Sequence, residues 1–276
     1  MATSFLKRFL CIGALSFQTA AWAHGDLHEQ ITAVTAKIHE QPNNVELILR
    51  RAELHRLHGE FPPALRDCDR AEKLDAKLAS SDFVRGKVFF DSGDLTKARV
   101  ALDRFLKSQP KHVEALVTRA RTLIKLREYE LAAADFSVAI ANAHAPEPDF
   151  FLERAQAWQS ATQVTHALES LDDGVAKLGH VASLELPAIA LDLQLRRFDD
   201  ALARVDALAA QSARKDIWLA RRAEILERAG RSNEARAEFE KAAAALEEVP
   251  AARRQNETSQ KLRAEITAGL KRLAAK

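Results

Sequence analysis

The chain has 276 residues, 47% apolar and 29% charged, with 52 alanines and 35 leucines against only 23 valines and isoleucines together. That balance excludes a disordered chain. It also excludes β-sandwiches and parallel-sheet enzymes, whose pleated surfaces need β-branched runs, and so favours an all-helical fold.

In chain order, the first predicted element is a secretory leader over 1–23. Lys7 and Arg8 form a positive start, Phe9 to Phe17 a short apolar stretch, and Ala21-Trp22-Ala23 a small-residue cleavage site. An apolar stretch of about nine residues is half of the roughly 20 needed to span a bilayer, so cleavage before His24 leaves no integral membrane segment. The expected location is periplasmic or secreted. Lys7 and Arg8 account for the whole formal charge of +2, and the mature chain is neutral. It has no global attraction to nucleic acid, and none is expected as a partner. Cys11 leaves with the leader. Cys68 then stands alone, so the domain relies on packing rather than on a disulfide, and the residue reads as a small buried apolar group.

Residues 24–44 read as an N-terminal helix ended by Pro42-Asn43-Asn44. A repeat then fills 45–249. Ala64, Ala98, Ala132, Ala167, Ala201 and Ala235 recur every 34 residues, with one spacing of 35, and Ala52, Gly86, Ala120, Ala155, Ile189 and Ala223 keep the same period. Turn residues lie between the two series, as in Gly59-Glu60-Phe61 and Gly93-Asp94-Leu95. Four residues past each alanine of the first series stand Cys68, Leu102, Phe136, Leu171, Val205 and Phe239. Small residues at these intervals let two helices approach closely, and the larger ones fill the gaps. One such helix pair cannot bury its own apolar face, so pairs must stack. The units are 45–78, 79–112, 113–146, 148–181, 182–215 and 216–249, with the extra residue at Pro146-Glu147-Pro148. Residues 250–276 read as a capping helix carrying Leu262, Ile266 and Leu270 on one face.

This pattern of small residues, turn glycines, aromatics and alanines resembles the tetratricopeptide repeat family. The resemblance implies a right-handed α-solenoid of stacked antiparallel helix pairs. Departures are visible: Ile48 and Leu116 fill the initial tryptophan position, and Arg127, Thr162 and Arg196 replace the turn glycine.

Arg51, Arg119, Arg154 and Arg222 each precede the small residue of a first helix. Asp67, Asp135 and Glu238 fall one position before the large residue of a second helix. Ion pairs within units are the natural expectation. The chain carries no G-x-S-x-G, no glycine-rich phosphate loop, no H-E-x-x-H and no paired cysteines of metal spacing. It is therefore read as a non-enzyme without a cofactor.

In the family the first helix of each unit lines the inner, concave face. Carried over by position, this gives Glu53 and Arg56, then Phe83, Lys87 and Phe90, then Arg121 and Lys125, and Gln156 in the fourth unit. Leu49, Val117, Ile124, Leu152 and Gln159 lie beside them. Apolar anchors mixed with Lys87, Arg121 and Lys125 suit a protein or peptide partner with apolar and acidic groups. The expected function is an exported interaction scaffold. Two alternatives stay open. One is a metal-handling accessory protein that uses the mature terminus at His24 and His28, since nitrogen ligands suit Cu(II), Ni(II) or Zn(II). The other is an auxiliary subunit of an envelope assembly.

Overall fold

A computed structural model describes residues 14–75 and 79–275, with side chains from Asp26 onward. Most of the expected leader lies outside these residues. The described chain is helical: α1 (Ala14–Glu40), α2 (Val45–Leu57), α3 (Phe61–Leu74), α4 (Ser80–Ser92), α5 (Leu95–Ser108), α6 (Val113–Lys125) and α7 (Tyr129–Asn142) come first. They are followed by α8 (Pro148–Ser160), α9 (Val164–Leu178), α10 (Ala182–Gln194), α11 (Phe198–Gln211), α12 (Lys215–Arg228), α13 (Ser232–Glu248), α14 (Ala251–Arg254) and α15 (Glu257–Ala274). No described helix is long and apolar enough to cross a membrane. The chain divides into two units, one ending at His144 and one beginning at Ala145. Each is a stack of helix hairpins, the all-α solenoid architecture.

Six short turns join the two helices within the hairpins from α2–α3 to α12–α13, and all six share one conformation. Gly59, Gly93 and Gly230 have φ of 81°, 84° and 79°, and Arg127, Thr162 and Arg196 have 63°, 62° and 59° at the equivalent positions. In most of these turns the next amide reaches back five residues, as from Glu128 N to Leu123 O (2.9 Å) and from Gln163 N to Trp158 O (2.8 Å). This is the left-handed helix stop that glycine adopts without steric cost. A β-branched residue there is strained. Thr162→Gly is expected to stabilise the C-terminal unit by about 1 kcal/mol, read as a rise in its urea midpoint. No change, or a lower midpoint, would show that Thr162 is unstrained.

The six periodic alanines from Ala64 to Ala235 are fully buried, as are Cys68, Leu102, Phe136 and Phe239 within 1%. Burial pushes the Cys68 thiol up to about 12, which leaves it protonated and unreactive. In the N-terminal unit α1 contributes Ile31, Val34 and Ile38 to a core with Ile48, Ala52, Leu54 and Cys68.

The expected arginine pairs form. Arg51 grips Asp67 through two 2.7 Å bonds, and Arg119 grips Asp135 in the same way while holding Asp103 of the preceding unit at 2.8 Å. Arg222 lies 3.8 Å from Glu238 and 2.6 Å from Asp206. Arg154 finds Asp173 at 2.7 Å, because Ser170 stands where the acid would be. Arg85 occupies the same position, a fifth member not anticipated, and pairs with Asp69 and Glu72 of the preceding unit.

The end of the chain departs from the single capping helix expected over 250–276. It forms α14 and α15, separated at Gln255 and Asn256. Asn256 Oδ1 accepts the amide of Ser259 at 2.8 Å and so starts a new helix. Leu262, Ile266 and Leu273 of α15 are buried in the C-terminal core beside Phe239 and Leu246. Gly269 lets α15 settle there, since a Cβ at that position would lie 2.5 Å from the Phe239 ring.

Candidate functional site

The first helices of the N-terminal unit, α2, α4 and α6, bring seven of the expected residues onto successive helices. α2 packs on α4, and α4 on α6. Arg56 and Lys87 meet over Glu53. Arg56 donates to both oxygens of Glu53 at 2.8 and 3.0 Å and also bonds Asp91. Lys87 Nζ lies 2.7 Å from Glu53 and 3.0 Å from Glu114. Burial works to raise the Glu53 carboxyl, but hydrogen bonds from Arg56 and Lys87 outweigh it and hold the group below the usual carboxylate range. Glu53 is thus ionised at neutral pH, and both cations are engaged within the face.

The aromatic part has a rigid floor. Phe83 is stacked on Phe105 of α5 with centroids 4.9 Å apart, and the His112 ring lies edge-on to both at 4.8 and 5.0 Å. Phe105 is 2% exposed, so the half-buried Phe83 rests on the core itself. His112 Nδ1 accepts the Ala115 amide at 3.2 Å and caps α6, which fixes its ring against the two phenylalanines. Lys87 Nζ sits 4.5 Å from the Phe83 centroid.

Phe90 and Lys125 form the outward part. The Lys125 ammonium lies 4.6 Å over the Phe90 ring, is exposed, and has no carboxylate partner among the described residues. Arg121 is exposed one turn earlier on α6. Together they offer an aromatic surface, two outward cations and a fixed Glu53–Lys87–Glu114 bridge. Nothing here resembles a nucleophile with its base. The arrangement can dock an apolar group and an anion side by side. Gln156 is exposed on α8 of the C-terminal unit.

The histidines are placed differently. His28 is exposed on α1, where His24 lies one turn before it, although the His24 side chain is outside the described residues. His55 and His58 both turn to Glu60, at 2.6 and 3.4 Å. No three acidic, histidine or cysteine groups among the described residues are arranged to hold a metal ion.

Phe105 and His112 were missed by reading first helices alone. The signal for them was present, since Phe105 is large at a second-helix core position and His112 immediately precedes α6.

Comparison with known proteins agrees with this fold. The tetratricopeptide repeat family model matches residues 83–158. No curated protein matches the chain in sequence. Among solved structures, the C-terminal part of a TPR repeat-containing protein from Cytophaga hutchinsonii superposes with a TM-score of 0.62 at 14% identity, covering 89% of this chain and 98% of that one. A tetratricopeptide repeat protein from Parabacteroides merdae gives 0.50 at 18% identity over 92% and 97% of the two chains. YrrB, described as a TPR protein with an unusual peptide-binding site, gives 0.53 at 17% identity over 64% and 91%. This chain is therefore similar to tetratricopeptide repeat proteins in sequence over residues 83–158 and in fold over most of its length.

Proposed function

We propose that the protein is an exported, non-catalytic scaffold that binds a protein or peptide partner on the first-helix face of its N-terminal unit. One observation carries the reading: the half-buried Phe90 ring, two turns along α4 from Phe83 on its rigid floor, lies under the exposed Lys125 ammonium, which has no carboxylate partner among the described residues. An apolar side chain flanked by a carboxylate would bury the ring edge and satisfy the cation at once. The peptide-binding site named for YrrB is in keeping with this use of the fold.

Export rests on the leader pattern of 1–23, and the mature chain would then start at His24. N-terminal sequencing of the protein recovered from an envelope fraction tests it. A terminus at His24 is expected, and a retained Met1 would contradict export.

Binding is tested by parallel affinity capture from an envelope extract with the parent chain and with Lys125→Glu and Phe90→Ala. Both substitutions lie at the outer part of the face and leave Glu53, Lys87 and Phe105 untouched. A partner captured by the parent is expected to fall at least about tenfold with each variant, as the loss of a single binding anchor gives. Equal capture by all three chains would place the working surface elsewhere.

A further inference from the structure

In the unit spanning 182–215 the repeated ion pair is reversed. Ala188 occupies the arginine position, and Arg204 of α11 stands where three other units carry Asp67, Asp135 and Glu238. Its partners come from two other helices. Arg204 bonds Glu185 at 2.9 Å and Asp192 at 2.7 Å, both on α10, and also bonds Asp172 of α9. Glu185 is 0% and Asp192 1% exposed. One guanidinium therefore faces three carboxylates, two of them fully buried.

The cluster is short of positive charge and of donors. Asp192 Oδ1 is buried with no hydrogen-bond partner. The other charged groups facing it make matters worse, because Asp200 of α11 adds a fourth negative charge, while α8, packed on the same helix, directs Arg154 to Asp173. His180, in the loop before α10, has its ring Nδ1 against Glu185 Oε1, and its side chain is 53% exposed.

We infer that the Glu185–Arg204–Asp192 cluster is an acid-responsive joint that tightens α10 against α9 and α11 as the surroundings become more acidic. A proton on Asp192 removes a buried charge that lacks a full set of partners. Burial of Asp192, reinforced by the like charges of Asp200 and Asp172, outweighs the Arg204 hydrogen bond and pushes this carboxyl up. A carboxyl held above its ordinary value binds its proton more tightly in the folded chain, so folding is favoured as pH falls toward that range. Paired surface carboxylates such as Glu234 and Glu247, held low by arginines, lose their contribution only at more acidic pH.

The chain's tryptophans allow a local readout. Trp158 and Trp218 lie on α8 and α12 of the C-terminal unit, and the third is Trp22. In the full chain carrying Trp22→Phe, urea unfolding followed by tryptophan fluorescence reports that unit alone. The midpoint is expected to rise by about 0.3 M from pH 7.5 to 5. Asp192→Asn is expected to have a midpoint at pH 7.5 no lower than the parent and to lose that rise. A flat or falling midpoint in the parent, a variant that is unfolded at pH 7.5, or an undiminished rise in the variant would overturn the inference.

Discussion

Replacing Arg204 by methionine is expected to be among the most damaging single changes to the C-terminal unit at neutral pH. The substitution keeps the apolar stem and removes the one guanidinium among the described residues that bonds Glu185 and Asp192, which are 0% and 1% exposed. Breaking a buried ion pair from one side costs roughly 3–5 kcal/mol, because the remaining charge is neither solvated nor compensated. Here two carboxylates are left in that state, in a unit whose total stability is expected to be about 5–15 kcal/mol. The sign of the pH dependence follows. Without the Arg204 hydrogen bond the Asp192 carboxyl, already above its ordinary value, is pushed further up, so the folded chain binds its proton more tightly and the deficit shrinks as pH falls from 7.5 toward 5. Urea unfolding of parent and variant at both pH values measures it. A deficit that is equal or larger at pH 5 would mean that the cluster is not electrostatically limited.

Phe105→Ala is the second large effect, and it couples the core to the candidate site. Phe105 is 2% exposed and stacks on Phe83 while meeting His112 edge-on. Truncating a buried phenylalanine removes about 3–5 kcal/mol, through lost burial and the cavity left behind. Phe83 loses its backing as well, and His112, the cap of α6, loses a ring neighbour. The N-terminal unit is therefore expected to unfold at lower denaturant and, where still folded, to bind its partner more weakly. Phe90→Ala should weaken binding with little loss of stability, since Phe90 is half-buried and contributes a face rather than a floor. Circular dichroism together with a binding titration separates the two. If Phe105→Ala bound like the parent, the aromatic floor would have no part in recognition.

These contrasts show what could be read from the residues alone. A 34-residue period places small residues where helices touch, and Ala64 through Ala235 are indeed fully buried. The pairs Arg51–Asp67 and Arg119–Asp135 were legible because both partners lie in one hairpin, 16 residues apart. Arg85 was not, because Ala101 stands at the second-helix partner position of its unit, and its acids are Asp69 and Glu72 of the preceding unit together with Asp82 on its own helix. The reversed pair at Ala188 and Arg204 left a trace as a gap and a sign change. Its significance depends on the burial of Glu185 and Asp192, which a one-dimensional pattern does not convey. At the candidate site the register located Phe83, Lys87 and Phe90. The engagement of Lys87 by Glu53 and Glu114 spans 34 and 27 residues and required the stacking of α2, α4 and α6. Replacement of three turn glycines was visible, and the left-handed backbone persists because the helix stop is imposed by the packing of each hairpin.

The central claim is that the first-helix face of the N-terminal unit is the working surface. Photo-crosslinking in the native envelope tests it most directly, with a photoreactive phenylalanine analogue placed once at Phe90 and once at Leu131, an exposed position on the second helix α7. A discrete protein adduct at position 90 that Lys125→Glu abolishes, with none at position 131, is the predicted result. Adducts at 131 and none at 90 would contradict the account.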